Sequence, residues 1–565
     1  MRYGCQMKKE LLIATTLVLG LGGGAAALVS RAHIAQSAQA ASVSIPEPAT
    51  LKEALAVSTR LGPVAGGTII DLELALHPRH AKALQHLLDT GQAGSTSNYA
   101  QRYGPNPALV RPALAAARRA GLHASWTIGE GTAMLAGPAR AVEGFFQVRL
   151  FRYVTPDHRQ FYAADRNPIL PLPLKRAVDG VAGFDNYAQL TEGAIPAGGV
   201  SPRDVMVFYD ISPLRASGLD GSGVTVVFPE LNSPADIPQV RRDVAEFSQK
   251  NGLPPANLTI RTDAAWGASP SGASDPGLIE VDLDLEIVHS IAPAAKLVVY
   301  LEPPNTAAVG AEAAMVQENP TAIISNSIGL CELGIGNLAS LKVAEQPWIQ
   351  QAAQNMTHYV AAGDSGAYQC GQKYKPTVDF PADLPIVTAV GGTSVLLARS
   401  SGYFRELAWG NALTKAGGGG GVTQVFQRPP YQTGAGFPSV SSAPGRLIPD
   451  VAGLADANTG WSIITGGKAT EIGGTSAAAP LWSGITALID QDMKRHGLRE
   501  VGLANLALYW IGEHQSQFHA FHDVTAGNNL YYDAVPGWDN ATGWGTPDAA
   551  KLDLAWRAYI SQGGK

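Results

Sequence analysis

The chain has 565 residues, which is too long for one hydrophobic core and predicts two or three domains. It is 45% hydrophobic and contains 63 glycines and 38 prolines, which excludes an intrinsically disordered chain and favours a globular protein rich in turns. Only 16% of the residues are charged, the net charge is −6 and no basic stripe is present, so we expect no nucleic-acid partner.

The N-terminal segment predicts export from the cell. Lys8 and Lys9 precede an apolar, Gly/Ala-rich run over residues 11–29, and "SAQA" then supplies an A-x-A cleavage pattern. This order is typical of a secretory signal peptide, predicted here over residues 1–40. The apolar run is long, so an uncleaved membrane anchor is the alternative. We therefore expect a secreted, extracellular protein or one tethered to a membrane.

Residues 41–195 are predicted to form a small α+β domain. The stretch "GTIIDLELAL" has the composition of a strand, whereas "PRHAKALQHLLD" and "NPALVRPALAAARRAGL" are typical of helices. Further strands are expected through "FFQVRLFRYVT". The Pro-rich "NPILPLPLKRAV" and the following "LTEGAIPAGGVSPRD" are expected to end this domain and to form a linker.

Residues 196–565 alternate short apolar strands with helix-like stretches. The strands are "GVTVVFPEL", "AAKLVVYLEP", "AIISNSIG", "THYVAAGDSG" and "IVTAVGGTSVLL". This alternation predicts an α/β domain with a doubly wound, mostly parallel sheet and helices on both faces. Active sites in such sheets gather at the carboxyl ends of strands, which is where Glu230, Ser327, Asp364 and Ser476 are expected.

The stretch "EIGGTSAAAP" places Ser476 in a small-residue turn between a predicted strand and a helix. A serine in this setting suggests a nucleophile, but its hydroxyl needs a base to take the proton. Subtilisin-like enzymes use a histidine in an H-G-T-H segment, and none of the six histidines after residue 200 has that setting. Histidine is therefore not the predicted base.

The acidic stretch "LIEVDLDLEIVHSIAP" offers a carboxylate base instead. Its alternation of acidic and apolar residues favours a strand with a solvated acidic face. A helix would place Glu280 and Asp284 one turn apart on the same side, close enough to share a proton. The residue pattern alone leaves both interpretations open.

The segment "AAGDSG" carries Asp364 where subtilisin-type enzymes have an Asn whose amide donates to the developing oxyanion. An ionised carboxylate would repel that oxyanion, whereas a protonated one donates a hydrogen bond. Asp364 therefore fits the role only when it is neutral, which predicts activity at acidic pH. A glutamate base suits such a pH because its ordinary pKa is about 4.3, against about 6.5 for histidine. An Asp in a Gly-flanked turn without a catalytic role is the alternative.

These motifs together resemble the sedolisin, or serine-carboxyl peptidase, family and especially its kumamolisin-type members. The resemblance rests on Glu280 and Asp284 in E-V-D-L-D, Asp364 in A-A-G-D-S-G, and Ser476 in G-G-T-S-A-A-A-P. Residues from about 45 to about 190 are similar to the activation prodomain of that family, and those from about 200 to about 560 to its catalytic domain. The resemblance implies a subtilisin-like fold and favours a helix for the acidic stretch.

The resemblance also implies a role for each motif residue. Ser476 would be the nucleophile, and Glu280 would act as general base and then as general acid. Asp284 would orient Glu280 and hold its proton network. Asp364 and the backbone N–H of Ser476 would form the oxyanion hole.

The resemblance also implies roles for residues that surround these four catalytic candidates. Glu230 matches a Glu that extends the network in kumamolisin-type enzymes, but Ile328 stands where those enzymes have a Trp, which shortens the network. By analogy with subtilisin-type enzymes, Ser327, Ile328 and Gly329 are candidates to line the substrate cleft. The run Gly417–Gly421 is a further candidate, with a flexible surface loop as the alternative.

A single structural Ca²⁺ is the cofactor that the resemblance implies. Its ligands would be Asp523, Val524, Val535, Gly537 and Asp539, the two carboxylates acting together with backbone carbonyls. Oxygen ligands at irregular backbone suit this hard cation. An Asp-rich turn without a metal is the alternative.

Removal of the signal peptide would take away Cys5 and leave Cys331 and Cys370. Both lie near one end of the predicted sheet, so we expect a disulfide that braces the oxyanion loop, with two buried free thiols as the alternative.

The sequence therefore predicts a secreted zymogen of an acid-active endopeptidase, a monomer that acts on protein and peptide substrates. Its prodomain would act as an intramolecular inhibitor and be cut away near residues 190–200. A subtilisin-like neutral serine protease and an inactive homologue that serves as an envelope binding protein are the competing hypotheses.

Overall fold

The structure of the protein is a computed structural model. It describes residues 50–91, 99–156, 158–187, 195–196, 199–262, 276–302, 309–318, 321–396, 405–433 and 444–563. The predicted signal peptide over residues 1–40 lies outside these ranges, as does most of the predicted linker after residue 187.

The N-terminal part of the described chain is an α+β domain, called the prodomain below. Its helices are α1 (Leu51–Val57), α2 (Ala81–Thr90), α3 (Tyr99–Arg102), α4 (Pro107–Arg119), α5 (Ala139–Phe146) and α6 (Leu172–Lys175). Its strands are β1 (Thr59–Pro63), β2 (Ile69–Leu76), β3 (His123–Ser125), β4 (Thr132–Pro138), β5 (Leu150–Val154), β6 (Gln160–Ala164) and β7 (Val178–Ala182).

The prodomain strands form two antiparallel sheets, in the orders β3-β4-β2-β7 and β1-β5-β6. Helix α4 begins as its sequence predicts, because Asn106 accepts a hydrogen bond from the Ala108 N–H and Pro107 occupies the first helical position. The Pro-rich stretch does not end the domain, since it continues into β7 at the edge of the four-stranded sheet. The residues before β7 are thus part of the prodomain core rather than of a linker.

Two short strands, β8 (Ile195–Pro196) and β9 (Gly199–Val200), lead into a second domain. Its helices are α7 (Pro202–Phe208), α8 (Ser212–Ala216), α9 (Ile237–Asn251), α10 (Pro276–Ile291), α11 (Val309–Glu318), α12 (Leu338–Ala344), α13 (Gln346–Ala353), α14 (Thr475–Arg495), α15 (Ala504–Glu513), α16 (Gln515–Phe518) and α17 (Ala549–Ser561).

The strands of the second domain are more numerous. They are β10 (Thr225–Leu231), β11 (Asn257–Arg261), β12 (Lys296–Glu302), β13 (Ile323–Asn326), β14 (Leu330–Cys331), β15 (Thr357–Ala361), β16 (Asp379–Phe380), β17 (Thr388–Leu396), β18 (Arg405–Ala408), β19 (Gly410–Asn411), β20 (Ala416–Gly417), β21 (Gly421–Gln427), β22 (Gly445–Ile448), β23 (Val451–Leu454), β24 (Gly460–Thr465), β25 (Lys468–Gly473), β26 (Phe521–His522) and β27 (Thr546–Pro547).

The central sheet has the order β11-β12-β10-β13-β15-β17-β18, and β23 also pairs with β17. All of these pairings are parallel except β17 with β18. Every residue of β15 is buried, as expected for a parallel sheet that is covered on both faces. The predicted parallel α/β architecture therefore holds.

Two helices next to the sheet, α10 and α14, pack against each other. The acidic stretch forms α10, although its alternating pattern favours a strand. Every residue from Glu280 to Ile291 is buried, so the alternation does not mark one solvated and one apolar face. Acidic and apolar side chains are enclosed together on several sides of the helix.

The prodomain docks on α12 and α13. Leu84, Leu87, Tyr99 and Tyr103 form an apolar cluster with Ala353 of α13. A second contact is polar, because the N–H of prodomain residue 131 donates to a Gln350 side-chain oxygen at 3.2 Å. The described residues include no helix that is long and apolar enough to cross a membrane.

Candidate active site

Ser476 is the second residue of α14, the helix that follows strand β25. The two glycines before it are required by geometry. A Cβ on Gly473 would lie 2.3 Å from the Ala455 carbonyl oxygen, and Gly474 has φ +122°, a conformation that L side chains rarely adopt. The turn places Ser476 where the first N–H groups of a helix have no partner within the helix. The positive end of the helix dipole adds to the attraction for an anion there.

Asp364 follows strand β15 and is held by the residue that precedes Ser476. Its Oδ1 accepts hydrogen bonds from the Thr475 backbone N–H at 2.7 Å and from the Thr475 hydroxyl at 2.9 Å. Its Oδ2 is buried without a hydrogen-bond partner among the described residues. Burial raises the pKa of Asp364 to about 6, although the bonds from Thr475 act in the opposite direction.

Helix α10 carries Glu280 and Asp284 one turn apart, and both side chains are fully buried. The Ser327 hydroxyl donates to the Asp284 carboxylate, at 3.0 Å from Oδ1 and 3.1 Å from Oδ2. It also lies 3.4 Å from the backbone oxygen of Ser476. Three elements distant in sequence, α10, the end of β13 and the start of α14, thus meet around this hydroxyl.

Glu280 is enclosed by these groups. Burial raises its pKa well above the ordinary value for a glutamate, and the charge of Asp364 raises it further. The hydroxyls of Ser476 and Ser327 lie close enough to lower it, but neither Glu280 oxygen makes a hydrogen bond of normal geometry with a described residue. A nucleophile, two carboxyls on one helix and a third carboxyl with a free oxygen are therefore brought together.

Comparison with known proteins identifies the family. Residues 269–545 match the subtilase family, and residues 56–187 match the pro-kumamolisin activation domain. Kumamolisin of Bacillus sp. (strain MN-32) is 33% identical over 464 residues, which are 77% of this chain and 80% of that protein. The chain belongs to the sedolisin family of serine-carboxyl peptidases.

A second relative agrees with this. Sedolisin of Pseudomonas sp. (strain 101) is 29% identical over 501 residues, which are 82% of this chain and 81% of that protein. A solved structure of Pseudomonas sedolisin, a serine-carboxyl proteinase complexed with two molecules of pseudo-iodotyrostatin, aligns with 65% of this chain and 100% of its own at a TM-score of 0.55 and 28% identity. The subtilisin-like fold predicted for this chain is confirmed. As a member of the sedolisin family, the chain is a serine-type peptidase with an activation domain.

The outer part of the predicted network is buried. Glu230, at the end of β10, is fully buried, and Ile328 is 4% exposed. Strand β10 pairs with β13 through Val226 with Ile323, and the continuation of this register brings Glu230 level with Ser327. The segment from Ser327 to Gly329 follows the end of β13 rather than forming a regular strand. Its lining of the substrate cleft remains a prediction.

The run Gly417–Gly421 is buried and packed against backbone, so it is not a flexible surface loop. A Cβ on Gly419 would lie 1.8 Å from the Ala362 carbonyl oxygen. The N–H of residue 417 donates to the Asp364 carbonyl oxygen at 2.9 Å. The glycines of this sedolisin therefore allow a strand to lie directly against the oxyanion loop and hold Asp364 in position.

Cys331 and Cys370 form the predicted disulfide, with a Cα–Cα distance of 5.0 Å. The bond joins β14 to the loop that begins at Asp364. It ties the loop that carries Asp364 to β14, as expected from the positions of the two cysteines.

The predicted calcium ligands lie in one irregular loop. Asp523 Oδ2 accepts from the Gly537 N–H, and Asp539 Oδ2 accepts from the Val535 N–H, each at 2.9 Å. Among the described residues, no backbone hydrogen bond uses the carbonyl oxygen of Val524, Val535 or Gly537. Two carboxylates and three available carbonyls suit Ca²⁺. Among the described residues, no group of three or more His, Cys, Asp or Glu side chains is placed to hold a metal ion, and the predicted site would use only two carboxylates.

The described part of the linker lies beside the nucleophile. Strand β8 pairs antiparallel with β25, with residue 195 opposite Gly473 and residue 196 opposite Ile472. The backbone of the region predicted to be cut is therefore within a few residues of Ser476.

Some functional contacts are not predicted by the motifs. The G-G-T-S motif places Thr475 directly before Ser476, but nothing in the sequence predicts that its hydroxyl donates to Asp364. Asp379 has no sequence signal; a Cβ on Gly363 would lie 2.4 Å from its Oδ2. Burial and the nearby Asp364 raise the pKa of Asp379 well above its ordinary value.

Proposed function

We propose that this sedolisin is a secreted, acid-active endopeptidase that hydrolyses peptide bonds through an acyl-enzyme on Ser476. The observation that carries the proposal is the state of Asp364, whose Oδ1 is fixed by Thr475 while its buried Oδ2 has no described partner. A carboxyl with a pKa of about 6 is neutral in acid and donates a hydrogen bond from this oxygen. In a protease that works at neutral pH, as the subtilisin-like alternative would, Asp364 would be ionised and could not donate this hydrogen bond.

In the first half of the reaction, the Ser476 hydroxyl attacks the scissile carbonyl carbon. Its proton goes to the carboxyl system of Glu280 and Asp284, and the carbonyl π-electrons move onto oxygen. The Asp364 hydroxyl and the Ser476 backbone N–H donate to that oxyanion. Glu280 then protonates the leaving amine, which breaks the C–N bond and leaves the acyl-enzyme.

In the second half, water attacks the acyl carbon, and Glu280 takes a proton from it. The tetrahedral intermediate again places its oxyanion between Asp364 and the Ser476 N–H. As the bond between the acyl carbon and the Ser476 oxygen breaks, Glu280 returns the proton to that oxygen, which releases the acid product and restores the Ser476 hydroxyl. The two acidic roles depend on opposite protonation states, since Asp364 must hold its proton while the Glu280–Asp284 pair must be able to accept one.

Three further elements belong to the proposal. The prodomain covers α12 and α13 and is removed by cleavage in the linker near residues 190–200, after which the enzyme acts as a monomer. A Ca²⁺ held by Asp523, Asp539 and neighbouring carbonyls would supply a fixed positive charge that stabilises the loop. A disulfide and the signal-like N-terminus are typical of an exported protein. The net charge of −6 supports the absence of a nucleic-acid partner.

The test is digestion of casein from about pH 3 to about pH 8 by the matured protein, with the variant Ser476→Ala as control. We expect activity in acid that disappears toward neutral pH and is lost in the variant. Maximal activity at neutral pH would support the subtilisin-like alternative. If casein stays intact and a labelled peptide aldehyde fails to bind at every pH, the chain is an inactive binding homologue.

A further inference from the structure

The side chain of Ser327 contacts the catalytic groups themselves. Ser327 as a whole residue is only 5% exposed. Its hydroxyl donates to the Asp284 carboxylate, at 3.0 Å from Oδ1 and 3.1 Å from Oδ2. The same oxygen is 3.4 Å from the Ser476 carbonyl oxygen. A residue that only presented its backbone to a substrate would not need a buried hydroxyl in this position.

Ser327 also lies against Glu280. Its hydroxyl and that of Ser476 lie close enough to lower the pKa of the Glu280 carboxyl, although neither Glu280 oxygen makes a hydrogen bond of normal geometry with a described residue. A serine hydroxyl has one proton to donate and two lone pairs that accept. When it donates to Asp284, its lone pairs are available to a protonated Glu280.

We propose that Ser327 is a positioning residue that passes protons between Glu280 and Asp284. This inference rests on the proposed function, because it concerns the base of that same reaction. The resting negative charge lies on Asp284, and Glu280 holds a proton directed at Ser327.

As the Ser476 oxygen bonds to the carbonyl carbon, its proton moves to Glu280, the Glu280 proton moves to the Ser327 oxygen, and the Ser327 proton moves to Asp284. The negative charge leaves Asp284 and appears on the oxyanion, and Ser327 is a neutral alcohol before and after. Collapse of the intermediate reverses the transfers and delivers a proton to the leaving amine.

The relay explains how a buried glutamate with a raised pKa acts as a base in acid. Burial favours the neutral form of Glu280, so Glu280 alone would be a poor acceptor at low pH. With Ser327 between them, Glu280 accepts one proton as it releases another. The carboxyl of Asp364 acts on Glu280 from the loop after β15, and Glu230 is buried near the end of the neighbouring strand β10.

The experiment compares wild type with Ser327→Ala, Ser327→Thr and Ser327→Cys, each matured by a trace of wild-type enzyme. Ser325→Ala is the matched control, because Ser325 lies two residues earlier and its buried hydroxyl has no hydrogen-bond partner among the described residues. The readouts are kcat and KM across acidic pH, the rate in mixtures of light and heavy water, and the melting temperature.

We expect Ser327→Ala to lower kcat about 10- to 100-fold, the cost of a hydrogen bond to a charged group, with little change in KM. In wild type, where several protons move in one step, a plot of the rate against the deuterium fraction of the solvent should be curved. In Ser327→Ala the same plot should be linear. Ser327→Thr should restore the curve, and Ser325→Ala should match wild type.

The proposal is overturned if Ser327→Ala changes only KM, or if its deuterium dependence equals that of wild type. If Ser327→Ala melts early, Ser327→Cys decides, because its weak thiol donor should give an intermediate kcat, and a wild-type kcat would contradict the relay. Absence of acid peptidase activity in the wild type would instead contradict the proposed function.

Discussion

Thr475 donates two hydrogen bonds to a single oxygen of Asp364, one from its backbone and one from its hydroxyl. Because Thr475 directly precedes Ser476, the proposed nucleophile and the proposed oxyanion donor, Asp364, are held in register by one residue. The other oxygen of Asp364 is left to carry the proton. This division of the carboxyl into a fixed and a donating oxygen gives the pH dependence a specific origin.

Replacement Asp364→Asn should extend activity toward neutral pH. The pKa of Asp364 is raised to about 6, so by pH 7 only about a tenth of the molecules keep the donating proton. An Asn amide donates at every pH, so the alkaline limb of kcat/KM should disappear while the acid limb stays. The measurement is hydrolysis of a fluorogenic peptide, with Asp364→Ala as control, expected to lose about 100-fold or more at all pH values. An alkaline limb that does not move in Asp364→Asn would argue against the protonated donor.

Ser476→Ala should abolish self-maturation. The backbone of the described linker pairs with β25 shortly before Ser476, so the region that we propose is cut lies near the proposed nucleophile. Expressed in a secreting host and brought to about pH 4, the variant should keep its proenzyme size while wild type is shortened. Gel electrophoresis and N-terminal sequencing provide the readout. Equal processing of the two proteins would mean that another protease does the cutting.

The inner strands of the central sheet, such as β10 and β15, were predictable because each is a short apolar run that is buried almost throughout. The positions of Ser476 and Asp364 were visible in motifs whose glycines have a geometric purpose, such as Gly474 with its positive φ. Helix α10 was not predictable from its residues. Its periodicity is that of a strand, and only enclosure on all sides makes a helix of that pattern stable.

Contacts between distant segments could not be predicted either. Ser327 and Asp284 are 43 residues apart and meet only because β13 ends beside α10. The proximity of Asp282 to Asp243 likewise depends on how α10 packs against α9. Sequence periodicity describes one element at a time, so it carries no information about such meetings.

Gly180→Ala should weaken the hold of the prodomain. A Cβ at this position of β7 would lie 2.3 Å from the Ala339 backbone oxygen of α12, so the two domains would have to separate locally. Such overpacking costs about 1–3 kcal/mol, and the zymogen should mature several-fold faster at a given acidic pH. Gly144→Ala is the matched control, because its Cβ would have no atom within 4 Å. Identical time courses for the two variants would place the inhibitory contact elsewhere.

Removal of calcium should lower the melting temperature of the wild-type protein. A ligand present at about 100 times its Kd contributes about 2.7 kcal/mol, which corresponds to about 3 °C for a domain of this size. In Asp523→Asn, the Asn side-chain oxygen can still accept the hydrogen bond from the Gly537 N–H, but one negatively charged ligand of the metal is lost. A chelator should therefore have little further effect on the melting temperature of this variant. Asp533→Asn changes an exposed carboxylate in the same loop and should remain sensitive. Equal melting temperatures of wild type with and without chelator would contradict a bound ion.

A second group of buried carboxyls should limit stability as the pH rises. Asp282 and Glu286 lie one turn apart on α10, next to Asp243 of α9, and all three are fully buried. The turn N–H groups of residues 466 and 467 donate to Asp243 at 2.9 and 2.8 Å, and the Ile464 N–H donates to Glu286 at 2.8 Å. Burial, with Asp243 nearby, raises the pKa of Asp282 to about 9 and that of Glu286 to about 10, while Lys250 acts weakly in the opposite direction on Glu286.

The folded protein therefore binds protons at Asp282 and Glu286 that the unfolded chain releases above about pH 4. Stability is fully present below that pH and is lost as the pH rises toward these folded values, by up to about 1.4 kcal/mol per pH unit and group. In a Ser476→Ala background, Asp282→Asn and Glu286→Gln should each flatten the fall in melting temperature between about pH 5 and about pH 7. Glu471→Gln, at an exposed carboxylate of β25, should leave the slope as it is. If the buried and exposed variants give the same slope, the loss of stability toward neutral pH arises outside this cluster.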